Sequence, residues 1–116
     1  MPELLFIYGT LHPDRAPAEI ADVARRLKPI GPATIRGRLY DLGAYPGVVL
    51  GESAAETVAG ELFAVPEAET LSYLDAYEDF RPGDPANSLF LRVQTTATLS
   101  DSSQQSCWVY VYNGGV

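Results

Sequence analysis

Cysteine and histidine are each present once in this chain, as Cys107 and His12, and basic residues are few. A lone cysteine forms no internal disulfide, which suits a reducing compartment, and one histidine leaves no Cys/His cluster with zinc spacing. Without a second histidine, serine- and cysteine-triad hydrolases have little support. The glycines are scattered singly, so no phosphate-cradling loop is written into the sequence. No apolar run is long enough to cross a bilayer, and the opening Met1-Pro2-Glu3 lacks the basic start of a signal segment. The chain reads as cytoplasmic. Eight basic residues face fifteen acidic ones, a net charge of −7 that repels nucleic acid and anionic membrane. A small metabolite, held by a few local donors, is the partner left standing, and nothing in the sequence specifies an oligomeric state.

What is present is a globular composition, 47% apolar and 20% charged, in 116 residues, enough for one domain spanning 1–116. Leu4 to Tyr8 is a short apolar and aromatic run ended by Gly9, the pattern of a buried strand emptying into a turn. Ile20, Val23, Ala24 and Leu27 then mark a core-facing helix stripe after Pro17, with Pro29 and Gly31 as its stop. Strands are expected over Thr34 to Tyr40, at Val48 to Leu50 and over Thr57 to Val65. A helix should run from about Pro66 to Glu78, followed by a Pro/Gly/Asp-rich loop over Phe80 to Asn87. Leu89 to Leu99 and Cys107 to Asn113 read as a strand pair joined by the polar turn Ser100 to Ser106. Strands and helices do not alternate regularly, so the expected class is α+β with a small mixed β-barrel and two principal helices.

The second helix carries the sharpest chemical signal. At about 100° per residue, Leu71, Leu74 and Glu78 share one stripe, putting a carboxylate on the buried face. Burial and the negative end of the helix dipole would both raise its proton affinity into a range useful for proton transfer. The alternative is that the helix ends before Glu78 and leaves it in water. Asp75 lies at the edge of the stripe and Asp79 beyond it; either could support Glu78, and acids near a helix end are usually solvated. The turn Tyr8-Gly9-Thr10-Leu11 is the second signal, because a strand ending in glycine lets main-chain N–H groups converge on a carboxylate. It is also an ordinary way to end a strand. Cys107 reads as a packed thiol and His12 as an exposed loop residue.

Phe6-Ile7-Tyr8-Gly9-Thr10-Leu11, Gly37-Arg38-Leu39-Tyr40-Asp41-Leu42-Gly43 through Tyr45-Pro46, Leu74-Asp75-Ala76-Tyr77-Glu78 and Trp108-Val109-Tyr110-Val111-Tyr112 follow one another in an order and spacing that resembles the gamma-glutamylcyclotransferase-like family. That family includes gamma-glutamylamine cyclotransferases and plant avirulence-induced proteins. The resemblance implies a small mixed barrel with helices around it. It also implies Glu78 as catalytic acid/base and Tyr8, Gly9, Thr10 and Leu11 as the lining of the substrate site. The implied reaction releases 5-oxoproline and an amine or amino acid from a γ-glutamyl compound, by attack of the substrate's own α-amine, with neither metal nor cofactor. Two departures bear on substrate choice. Phe90-Leu91-Arg92 lacks the tyrosine that many relatives place before the arginine, and the chain stops at Gly114-Gly115-Val116 where many continue, which would leave one pocket wall open or differently built. A binding module without turnover, or a hydrolase or acyltransferase of γ-glutamyl amides on the same scaffold, would carry the same residues.

Overall fold

In a computed structural model, which describes residues 3–8, 18–41, 46–51 and 56–113, six strands and two helices follow in the order β1 (Glu3–Ile7), α1 (Ala18–Ala24), β2 (Lys28–Asp41), β3 (Pro46–Leu50), β4 (Thr57–Val65), α2 (Ala68–Tyr77), β5 (Phe90–Leu99) and β6 (Gln104–Tyr112). Strands pair in the order β3-β2-β4-β1-β6-β5, and β5 returns to β2 through Ala33 with Leu99 and Thr34 with Thr98. That return closes β2, β4, β1, β6 and β5 into a five-stranded barrel, with β3 a hairpin arm on β2. The β1–β6 pair is parallel and the others are antiparallel, so the barrel is mixed. The expected fold class is the observed one.

Strand alternation divides the apolar residues between two clusters. Phe6, Ile35, Leu62, Cys107 and Val109 fill the barrel, joined by Val48 from β3. Leu5, Ile7, Phe63, Val65, Phe90 and Tyr110 point outward and meet Ile20 and Leu27 beside α1 and Leu71 and Leu74 of α2. Both leucines of the α2 stripe are buried, Leu74 completely. The helix is thus fixed to the barrel wall by the face that the sequence periodicity marks.

Several boundaries differ from the sequence expectation, the start of β2 most of all. The first helix ends at Ala24, ahead of the expected stop at Pro29 and Gly31, and both residues lie inside β2, which starts at Lys28 and runs to Asp41. Pairing with β4 slips between Pro29 and Gly31, leaving Ile30 as the extra, exposed residue of a bulge; prolines are accepted at strand starts and bulges, where a ladder N–H is not required of them. The last turn is also shorter than expected. Gln104 to Ser106 are polar and exposed, yet they pair with Thr98 to Thr96, so β6 starts three residues earlier.

At Gly60 of β4 a methyl group would stand 2.5 Å from the Ile7 carbonyl oxygen and 2.6 Å from the Phe6 ring. Neither neighbour can yield freely, because Phe6 is 1% exposed and Ile7 is held in the β1–β4 ladder. Gly60→Ala is expected to destabilise the fold by about 1–3 kcal/mol, the range for overpacking. Urea denaturation measures this; an unchanged midpoint would mean that the barrel wall is looser than this contact implies.

Candidate active site

Helix α2 ends in a way that aims Glu78. The Glu78 N–H still bonds the Leu74 carbonyl at 2.9 Å, so Glu78 is the last residue tied to the helix. Asp79 then turns left-handed at φ 56°, its N–H bonding Ala76 O at 3.3 Å, while the Phe80 N–H reaches back to Asp75 O at 2.8 Å. These two bonds form a Schellman closure with aspartate where glycine is usual. The turn is backed by Ser88, whose hydroxyl receives the Arg81 N–H at 2.8 Å, and by the Leu89 N–H bond to Asp79 O at 3.1 Å. The helix proper therefore ends at Tyr77, one residue before Glu78, as the alternative sequence reading has it, but Glu78 keeps a helical hydrogen bond and its side chain is not left in open water.

Glu78 is partly buried, and its carboxyl makes no hydrogen bond or ion pair among the described residues. Burial pushes its pKa up to about 7. Withdrawal from water disfavours the charged form, and no cation among the described residues stands by to offset the cost. Its charge acts on two tyrosines, Tyr8 at the end of β1 and Tyr110 of β6. Burial first, and Glu78 in smaller part, hold both phenols above their ordinary range. The Tyr8 hydroxyl donates to Tyr110 O at 2.6 Å and accepts the Val48 N–H at 3.3 Å, bridging β6 and the β3 arm.

Asp75, one turn before Glu78, is 5% exposed and fully engaged. Its Oδ1 accepts from Arg92 Nε at 2.7 Å and from the Tyr110 hydroxyl at 2.7 Å, and its Oδ2 accepts from Arg92 Nη2 at 3.1 Å. The guanidinium stacks 4.4 Å above the Trp108 ring and lies 5.9 Å from that of Phe80. Trp108 in turn donates its indole N–H to Glu3 at 2.8 Å. β-register accounts for this assembly: Arg92 is directly opposite Tyr110, and Trp108 is two residues back along the same face.

Of the residues the sequence singles out, Tyr8 and Glu78 thus come into electrostatic reach of each other. Gly9, Thr10, Leu11 and His12 lie outside the described residues. Cys107 faces the barrel interior, its thiol pushed up to about 11 by burial, so little thiolate forms near neutrality. Asp79 serves the turn and pairs with exposed Arg81. Sequence reasoning missed Tyr110 and Arg92. The alternation Trp108-Val-Tyr110-Val-Tyr112 was a usable signal, since it puts three aromatics on one face opposite a buried helix. A cavity of about 700 Å³ also opens where β2 parts from β5, lined by Thr34, Ile35, Thr95 and Thr96 among others, but no carboxylate lines it. The carboxyl of raised proton affinity, Glu78, is on the α2 side.

A barrel of this topology carrying an isolated carboxylate at the end of a wall helix defines a class, and comparison places the chain within it. Residues 5–115 match the family model for gamma-glutamyl cyclotransferase, AIG2-like proteins, and the chain belongs to that family. It is 30% identical over 112 residues to a Vibrio cholerae protein named "Putative gamma-glutamylcyclotransferase", covering 97% of this chain and 84% of that one. The fold is shared with an AIG2-like protein of Mus musculus at a TM-score of 0.76 and 18% identity, over 98% of this chain and 80% of that one. It is shared also with YkqA of Bacillus subtilis at a TM-score of 0.73 and 21% identity; 97% of this chain matches there, spanning 36% of the longer protein. Family and relative support an enzyme of the gamma-glutamylcyclotransferase-like kind. Among the described residues, no helix is long and apolar enough to cross a membrane.

The proton affinity of Glu78 has a consequence for stability. The folded state keeps the proton up to about pH 7, whereas the ordinary value is 4.5. Between those limits folding takes up a proton, so stability falls as pH rises, by about 3 kcal/mol at most at about 1.4 kcal/mol per unit. Glu78→Gln carries no charge at either end. It should match the parent near pH 4 and exceed it near pH 8 in urea denaturation; equal stability at both would mean a solvated carboxylate.

Proposed function

We propose that the protein converts a γ-glutamyl compound into 5-oxoproline and a free amine or amino acid, with Glu78 as the proton carrier. The observation that carries this reading is the Glu78 carboxyl, which has no partner among the described residues and which burial pushes up to about 7, so that both protonation states are accessible near neutral pH. A single group can then serve both proton steps.

In the first step the Glu78 carboxylate takes a proton from the substrate's α-ammonium. The freed amine attacks the γ-carbonyl carbon, forming the C–N bond of a five-membered ring. Glu78 returns its proton to the departing nitrogen as the original amide C–N bond breaks, and the second proton of the new ring nitrogen passes to the released amine, which departs as an ammonium ion. No water is consumed, and atoms and protons balance. Because nucleophile and electrophile belong to one molecule, the protein has chiefly to fold the substrate into attack geometry, which accounts for much of the barrier in such tethered reactions. Main-chain donors at Gly9, Thr10 and Leu11 would hold the substrate's α-carboxylate. Tyr8, which precedes them in the chain, has its hydroxyl committed to Tyr110 O and Val48 N. The partner is therefore a small γ-glutamyl molecule, and the acidic character of the chain suits a cytoplasmic metabolite enzyme.

A panel of γ-glutamyl amino acids, amines and peptides, assayed for 5-oxoproline, tests the reading. At least one member should yield 5-oxoproline, and Glu78→Gln should lower kcat by about 10²–10⁴-fold while retaining the fold by circular dichroism. Free glutamate as the product would make the protein a hydrolase. Near-parental turnover by Glu78→Gln would remove Glu78 from the chemistry.

A further inference from the structure

The edge of β5 that faces β2 is open along most of its length. Thr98 and Leu99 pair there with Thr34 and Ala33, after which β2 leaves β5 and pairs with β3 from Gly37 to Asp41. Strand alternation says which main-chain groups this exposes. The Leu99 N–H bonds Ser103 O at 2.9 Å and the Leu89 carbonyl receives the Asn113 N–H at 3.0 Å, so odd-numbered residues along β5 turn their amides towards β6. Gln94 and Thr96 turn theirs the other way, where they have no ladder partner among the described residues.

The cavity of about 700 Å³ lies against that edge, with Gln94, Thr95 and Thr96 on one side and Leu50 and Gly51, at the end of β3, on the other. Thr95 marks a breach in the barrel wall. It shares the inward-facing row of β5 with Val93 and Ala97, which pack in the barrel cluster, yet it is exposed. A strand lying beside β5 would cover it. Ile35 and Leu50, both of the barrel cluster, give the cavity an apolar floor, and its polar lining is hydroxyl, amide and guanidinium. No carboxylate lines it, although the chain carries fifteen acidic residues.

We propose that this slot is a docking site for an extended peptide segment that adds to β5 as a strand, bonding the N–H and C=O groups of Gln94 and Thr96 and placing one aliphatic side chain beside Thr95 over Ile35 and Leu50. Open main-chain donors and acceptors at strand spacing match a peptide backbone, which carries both in the same rhythm. A β-branched aliphatic residue such as valine suits the inward place, and small polar residues suit the outward places on either side of it. Shape and charge oppose a second copy of this chain as the occupant: its own β5 edge is flanked by its own β3 arm, and each copy carries a net charge of −7. Glu78 is not among the lining residues, so the inference goes beyond the proposed reaction and stands without it.

The probe is the acetylated and amidated heptapeptide Thr-Ser-Thr-Val-Thr-Ser-Thr, titrated into ¹⁵N-labelled protein beside a counterpart N-methylated on the threonines that flank valine. When valine faces Thr95, those threonines face Gln94 and Thr96 and supply the donors to β5. The Gln94 and Thr96 amide signals should move downfield and their hydrogen exchange slow by at least about tenfold with the plain peptide, and neither should change with the methylated one. Thr96→Pro removes a donor from the slot without touching the β5–β6 ladder, a change that an open strand edge accepts, and it should abolish the effect. Equal binding of both peptides, an effect that survives Thr96→Pro, or no slowing at millimolar peptide overturns the proposal. So does protection of the same amides that grows with protein concentration in the absence of peptide, because a second copy would then be the occupant. If Thr96→Pro does not fold, the methylated peptide decides the question on the parent protein.

Discussion

A carboxyl withdrawn from water costs free energy to ionise, and at Glu78 no cation among the described residues offsets that cost. Leu71 and Leu74 fix the helix to the barrel wall, and the Schellman closure at Asp79 and Phe80 fixes the direction in which the chain leaves it. The acid one turn earlier has the opposite fate. Asp75 is more deeply buried, yet it is fully paired, and breaking such a pair typically costs about 3–5 kcal/mol. Two acids on one helix thus have different surroundings: one is paired and holds strands β5 and β6 to the helix, and the other has no hydrogen-bond or ion-pair partner among the described residues.

The closed barrel makes that division possible, because neighbouring strands deliver side chains to one place from both sides of the wall. Along β1, Leu5 and Ile7 pack outward while Phe6 and Tyr8 turn towards the interior; along β6, Cys107 and Val109 point inward and Trp108 and Tyr110 outward. Tyr8 comes from the inner face and Tyr110 from the outer, and a single hydrogen bond from the Tyr8 hydroxyl to Tyr110 O joins them. The β3 arm completes the arrangement through Val48, a fully buried residue whose N–H meets the same hydroxyl.

Short-range signals make much of this legible in the amino-acid sequence. The apolar residues of β4, the Leu71–Leu74 stripe and the glycine-ended first strand each follow from local patterning, and Glu78 stands out as a candidate because helical geometry puts it on that same stripe. What the sequence conceals depends on distant pairing. Pro29 and Gly31 look like breakers, and only the bulge against β4 explains how β2 contains them. Gln104 to Ser106 look like a turn until the ladder with β5 is known. Asp75 reads as a solvated acid because its partners, Arg92 and Tyr110, are 17 and 35 residues away. The cradle residues Gly9, Thr10 and Leu11 lie outside the described residues, so their part rests on the turn chemistry of the sequence and the family resemblance.

The central claim is that the substrate's own α-amine is the nucleophile and Glu78 carries its proton. It is tested most directly by comparing a γ-glutamyl substrate that the protein turns over with the analogue in which hydrogen replaces the α-amine. The analogue is smaller and cannot clash, so rejection on size is removed, and an enzyme that used water would have no chemical need for the missing group. The account predicts amine release and 5-oxoproline from the parent compound and no amine release from the analogue. Amine release from the analogue at a rate comparable to the parent would contradict it.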